Sequence, residues 1–153
     1  MSHFKGKRIL MIDDEQDLLL VLKQRLESSG YFVSAATTGA EGLEKARKEL
    51  PDLIVLDLML PGLDGYQICG MLKHDRLYMK IPILILTARA QPKDYELGIK
   101  VGADAYVTKP FDLKELLLKI ESLLARNNNA APSQPTAADT KPTDASDEQS
   151  SKL

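Results

Sequence analysis

Several residues able to do phosphate or metal chemistry stand where apolar runs stop. Asp13, Asp14 and Glu15 follow RILMI, Asp57 follows LIVL, Thr87 and Ala88 follow ILIL, and Thr108, Lys109 and Pro110 follow AYV. Carboxylates brought together repel: two unit charges about 4 Å apart interact by roughly 4 kcal/mol at an effective dielectric near 20. Asp13, Asp14 and Asp57 therefore call for a cation, and a hard divalent ion that takes a few carboxylates, a carbonyl and several waters is Mg²⁺. Such a centre, open to solvent on one side and joined by the Lys109 ammonium, is suited to receive an anion. Phosphate is the natural one. The cation and Lys109 neutralise it, Thr87 and nearby backbone N–H groups donate to its oxygens, and one carboxylate serves as nucleophile. Charge alone does not choose that carboxylate. Asp57 is preferred because it ends the middle apolar run and is followed by the Pro/Gly-rich DLMLPGLDG, which can bring backbone close to a ligand.

These residues converge only if the apolar runs lie side by side. Short β-branched or leucine-rich runs at Arg8–Ile12, 32–35, Leu53–Leu56, 83–86 and 105–107 alternate with amphipathic stretches near 15–28, 38–49, 64–74, 92–101 and 112–126. That alternation predicts five βα units around a parallel sheet. Three of the runs are almost wholly apolar, as strands covered on both faces should be. Thr38 with Glu41 and Asp112 with Glu115 have capping-box spacing, Pro92 suits a first helical turn, and Gly30 and Gly102 suit helix ends. The leucine-rich faces at 18–22 and at 113, 116, 117, 120, 123 and 124 read as core packing. In such a sheet the carboxyl ends of the strands share one edge, where ligands bind.

The chain has 153 residues, 44% of them hydrophobic, enough for one domain with a proper core. No apolar run reaches the roughly 18 residues of a membrane span, and no secretory leader is evident, so a cytoplasmic protein is expected. Cys69 is the one cysteine; it reads as a buried thiol in a reducing compartment. His3 and His74 read as solvated surface residues. After Arg126 the composition shifts to small polar residues with three prolines, so 127–153 reads as a disordered tail that cannot offset its ordering entropy. Its four acids (Asp139, Asp144, Asp147, Glu148) against Lys141 and Lys152 carry the whole net charge of −2, leaving residues 1–126 formally neutral. That balance argues against direct nucleic-acid binding by the domain.

Four motifs, MIDDE, DLMLPGLDG, ILTA and GADAYVTKPF, stand in this order at successive strand ends. Through them the chain resembles the receiver domain of bacterial two-component response regulators over nearly all of residues 7–126. The resemblance implies a doubly wound (βα)5 flavodoxin-like fold with strand order 2-1-3-4-5. It implies that Asp57 accepts the phosphoryl group from a sensor histidine kinase or phosphotransfer protein, and that Asp13, Asp14, Asp57 and the Met59 carbonyl hold Mg²⁺. Thr87 and Tyr106 would be the switch pair, Lys109 the cation on the phosphoryl oxygens, and the Met59 and Ala88 amides its backbone contacts. The Lys109–Pro110 bond would be cis, aiming the lysine into the site. Met59 and Arg89 occupy the positions that tune phosphoryl lifetime. Neither side chain carries an acid or amide to orient a water, which implies a long-lived phosphoaspartate.

Glu15 is expected only to favour the helix start. Output is expected through the surface of the fourth helix, fifth strand and fifth helix, either to a downstream protein or in a phosphorylation-dependent homodimer. Asp104, Glu115 and Lys119 match the charged positions of receivers that dimerise there, while Tyr95 and Ala105 depart from them. The alternatives are the receiver half of a DNA-binding regulator and a haloacid dehalogenase-like phosphatase. The latter needs an acid two residues after the nucleophile, where Met59 stands. A flavodoxin is also disfavoured, because DDEQ would repel the FMN phosphate. The expected protein is thus a phosphoacceptor switch rather than an enzyme.

Overall fold

The computed structural model describes residues 4–130. His3 and 131–153 lie outside the described residues. Ten elements alternate: β1 Arg8–Ile12, α1 Gln16–Ser28, β2 Phe32–Ala36, α2 Gly39–Glu49, β3 Leu53–Leu56, α3 Gly65–Lys73, β4 Ile83–Thr87, α4 Pro92–Lys100, β5 Ala105–Thr108 and α5 Leu113–Ala130. The five strands form one parallel sheet in the order β2-β1-β3-β4-β5, the doubly wound α/β arrangement read from the sequence.

Alternation along the strands divides the core. Ile9, Met11, Leu53, Val55, Leu84 and Leu86 face α1 and α5, meeting Leu19, Leu22, Leu26, Leu116, Ile120, Leu123 and Leu124. Leu10, Ile12, Ile54, Leu56 and Ile83 face α2 and α3, meeting Leu43, Ala46, Ile68, Cys69 and Leu72. Strands buried on both faces need apolar residues nearly throughout, which is why β3 and the first four residues of β4 are continuous apolar runs, with only the closing Thr87 polar. Not all of the leucine-rich run at 18–22 is core, since Leu20 and Val21 of α1 are exposed.

Local signals set the helix ends. Thr38 Oγ1 accepts the Glu41 amide, while Glu41 reaches back one residue further than a capping box requires, to the Thr37 amide. Asp112 caps α5 by accepting from Lys114 and Glu115. At α3 the reciprocal box is Asp64 with Gln67. Gly30 and Gly102, after α1 and α4, take φ +100° and +103°, where a Cβ is disfavoured. The fifth helix does not stop at Arg126 but runs to Ala130, so 127–130, read as the start of the tail, are helical. Asn127 donates to the Lys80 carbonyl and Arg126 pairs with Asp104, fixing that last stretch. No helix among the described residues is long and apolar enough to cross a membrane.

Candidate functional site

Register brings the strand ends together. Ile12 pairs with Leu56, Leu56 with Ile85, and Thr87 with Thr108, so the residues that follow or close these strands share the carboxyl edge. Asp13 and Asp57 are each 5% exposed and Thr87 is fully buried, whereas Asp14 is exposed. One carboxylate oxygen from each of Asp13, Asp14 and Asp57 lies within 4.8 Å of the others. Lys109 enters from the end of β5: its Nζ is 2.8 Å from Asp13 Oδ2 and 3.2 Å from Asp57 Oδ2. The Lys109–Pro110 bond is cis.

Backbone donors fix the carboxylates. Asp13 Oδ1 accepts the Glu15 amide at 2.9 Å and Asp57 Oδ1 accepts the Met59 amide at 3.1 Å. Burial pushes the Asp13 carboxyl up, aided by the charge of Asp57 and opposed by Lys109 and the Glu15 amide. For Lys109, burial alone would lower the ammonium, but its hydrogen bonds to Asp13 and Glu15 and the charge of Asp57 win and hold it above the usual lysine range. Three hard-oxygen donors, two of them buried and one facing solvent, suit Mg²⁺ with coordinated water better than a softer metal.

Two sequence expectations change here. Glu15 does more than begin α1: it stands at the N-cap without a side-chain cap bond, and its carboxylate pairs with Lys109. Making no cap bond, the Glu15 carboxylate is free to turn toward the ammonium, which Asp13 and Asp57 already draw to this edge. Asp104, expected among dimer charges, is committed inside the domain. Its Oδ2 accepts the Ile83 amide and pairs with Lys73 at 2.7 Å, while Oδ1 faces Arg126. His74, expected to be solvated, is exposed with Nδ1 2.8 Å from the Gly70 carbonyl.

Beside the acidic centre lies a second cluster, which sequence reading found only in part. Thr87 Oγ1 accepts the Arg89 amide at 3.4 Å, and the Tyr106 hydroxyl donates to the Arg89 carbonyl at 2.9 Å. Ala88 is exposed between them. The Arg89 guanidinium lies 5.7 Å from the Tyr66 ring centroid and 4.0 Å from Asp94 Oδ1. The Tyr66 hydroxyl donates to the Asp94 carbonyl at 3.0 Å. Burial, then Asp94, pushes the Tyr66 phenol up, and Tyr106 is raised first by burial as well. Asp94 had a legible signal in its spacing, around Pro92, from Gln91, whose amide its carboxylate accepts. Tyr66 had none, because its contact with Asp94 spans 28 residues.

Fold and site define a doubly wound α/β domain with an acidic, lysine-bridged centre on its carboxyl edge. The family model for the response regulator receiver domain matches residues 9–121, and the chain belongs to that family. It is 47% identical over 128 residues to the alkaline phosphatase synthesis transcriptional regulatory protein PhoP of Bacillus subtilis, covering 84% of this chain and 52% of that protein. It is 44% identical over 121 residues to the DNA-binding dual master transcriptional regulator RpaA of Synechocystis, covering 79% and 50%. The chain thus spans about half the length of the curated relatives it matches. Among solved structures, a CheY-like response regulator receiver domain protein from Methanospirillum hungatei matches with TM-score 0.77 and 33% identity over 82% of this chain and 98% of that one.

Proposed function

We propose that this chain is a phosphoryl-accepting switch in which Asp57 takes the group from the phosphohistidine of a sensor kinase or phosphotransfer protein. The observation that carries the reading is the meeting of Asp13, Asp14 and Asp57 within 4.8 Å, with Lys109 against two of them. An Asp57 carboxylate oxygen forms the new P–O bond as the donor's P–N bond breaks, the imidazole nitrogen keeping the electron pair. Asp13, Asp14, Asp57 and the Met59 carbonyl would hold Mg²⁺, which when bound offsets charge on the phosphoryl oxygens. Lys109 stays charged at neutral pH and pairs with the oxygens gathered on Asp57. The amides of Met59 and Ala88 donate to them, and the Thr87 hydroxyl, now accepting from Arg89, turns to donate. The Tyr106 phenol follows the Arg89 carbonyl to which it is bonded. With Met59 and Arg89 offering no group to orient an attacking water, the phosphoaspartate is long-lived.

Such a protein catalyses only its own phosphorylation and dephosphorylation, and a cytoplasmic location fits. Output passes through α4, β5 and α5 to a protein partner. A second form of the same reading, supported by relatives of about twice the length that regulate transcription, makes this a receiver half that dimerises on phosphorylation while nucleic-acid contact falls outside residues 4–130. The decisive test is transfer of labelled phosphate from histidine kinases to wild type and Asp57→Asn in Mg²⁺. Loss of label in the variant is expected; full-rate labelling overturns the assignment. Light scattering after acyl-phosphate treatment separates the two output forms, the receiver-half form predicting a doubled mass.

A further inference from the structure

Arg89 is held at three separate points. Its amide is on Thr87 Oγ1, its carbonyl on the Tyr106 hydroxyl, and its guanidinium rests between the Tyr66 ring and Asp94. Tyr66 makes the third of these, and it does so from a firm base. It sits near the start of α3, behind the Asp64–Gln67 box, and its ring is buried with Leu58 and Ile85. Its hydroxyl reaches across to the Asp94 carbonyl at 3.0 Å and to Asp94 Oδ1 at 3.3 Å. Asp94 lies in the first turn of α4, the helix whose one buried residue is Gly98. With so little apolar burial, the start of α4 and the loop before it depend on these polar ties for their position.

We propose that Tyr66 is a positioning residue of the switch, a latch that fastens the β4–α4 loop and the first turn of α4 to α3 until Thr87 turns toward a phosphoryl group. The proposal rests on the phosphoacceptor reading and extends it to a residue on the far side of the loop. Thr87 cannot turn without releasing the Arg89 amide, and Arg89 cannot move as a body while Tyr66 and Asp94 hold its side chain and the adjoining helix. A net hydrogen-bond contribution of ordinary size corresponds to roughly three- to tenfold in the balance between latched and open loops. Loss of the hydroxyl alone therefore raises the open population by that factor. A reaction that needs the open loop speeds up in proportion.

Tyr66→Phe tests this in the full chain, because the variant keeps the buried ring and removes only the hydroxyl. Two measurements are made beside wild type: amide hydrogen exchange at residues 88–97 without phosphodonor, and label uptake from a small acyl phosphate in Mg²⁺. Both are expected to rise three- to tenfold in the variant, while exchange in β1 and β3 stays unchanged. Exchange at 88–97 within twofold of wild type overturns the latch, whatever the uptake. Faster exchange with unchanged uptake overturns its coupling to phosphorylation. Asp57→Asn is carried in parallel: if it takes label like wild type, the phosphoacceptor reading falls, and the exchange measurement still judges the latch.

Discussion

The inner sheet and the α4–β5 edge of this domain are held together by different forces. Every residue of β3 and β4 is buried, and α5 sends Leu116, Ile120, Leu123 and Leu124 into the core. In β5 no residue is fully buried, and α4 contributes only Gly98 while exposing Tyr95, Leu97 and Ile99. Polar ties from Tyr66, Tyr106 and Asp94 take the place of apolar packing there. On the proposed phosphoacceptor reading the division follows function: Asp13 and Asp57 sit just beyond inner strands and stay put, while the segment that would shift, from Thr87 into α4, has little burial to lose beyond Thr87. The largest test of the contrast is Leu56→Ala against Leu97→Ala. The first deletes a fully buried side chain and should cost about 2–5 kcal/mol. The second trims a side chain 40% exposed and should cost under about 1 kcal/mol. Urea unfolding of both variants reads the difference, and equal losses would dissolve it.

Gly65→Ala comes next, because it strikes where the inner sheet supports the site. A Cβ there would lie 2.5 Å from the Asp57 carbonyl oxygen and 2.6 Å from Leu58 Cα. Backbone cannot swing aside as the end of a side chain can. The expected cost is about 1–3 kcal/mol, accompanied by a fall in phosphoryl uptake because the strand end carrying Asp57 must shift. A variant that loses stability yet labels at the wild-type rate would show that the strain is relieved in α3 instead.

The inner half was the more legible of the two in the sequence, and the reason is physical. Burial on both faces demands continuous apolar runs, so β3 and β4 could be read directly, and their ends located Asp57 and Thr87. The parallel order then placed Asp13, Asp57 and Lys109 on one edge. What escaped were contacts made by groups whose local pattern serves two purposes. Glu15 carries an ordinary helix-start signature, and nothing in its spacing tells that its carboxylate leaves the cap and pairs with Lys109. Tyr66 stands on a helical apolar face and reads as core. Its hydroxyl bond to Asp94 depends on how α3 and α4 lie across the sheet end. Composition marked a boundary at Arg126, but α5 continues to Ala130, because Asn127 and Arg126 find partners at the other end of the sheet.

A smaller effect lies in the pH dependence of the acidic centre. With its carboxyl raised by burial, Asp13 binds more proton folded than unfolded in the window from the usual aspartate range up to its folded value. Unfolding free energy therefore falls as pH rises through that window. Asp13→Asn should remove this slope, and Mg²⁺ should flatten it in wild type by favouring the ionised form. Lys109 works in the opposite range. Its folded value is raised, so its contribution is full below the ordinary lysine range and is lost only as pH climbs above it. Urea midpoints from acid to neutral pH, with and without Mg²⁺, check the Asp13 claim; a wild-type profile indifferent to Mg²⁺ would count against a metal at this site.

The smallest change in stability, and the sharpest probe of the edge, is expected from Gly98→Ala. A Cβ at 98 would meet Tyr106 Cδ2 at 3.0 Å, Cε2 at 3.1 Å and Ile85 Cδ1 at 3.3 Å. These contacts are all side-chain atoms, so a few tenths of an ångström of give in the Tyr106 ring relieves most of the conflict. Alanine is also favoured over glycine in a helix interior by about 0.5–1 kcal/mol, which offsets what the ring movement costs. Net unfolding free energy should therefore change by less than about 1 kcal/mol. The Tyr106 hydroxyl, however, is the donor to the Arg89 carbonyl, and moving its ring loosens that tie. Amide exchange around Arg89 should quicken although global stability barely moves. If Gly98→Ala instead lowered stability as much as Leu56→Ala, the edge would be packed as tightly as the inner sheet, and α4 would have no freedom for a switch to use.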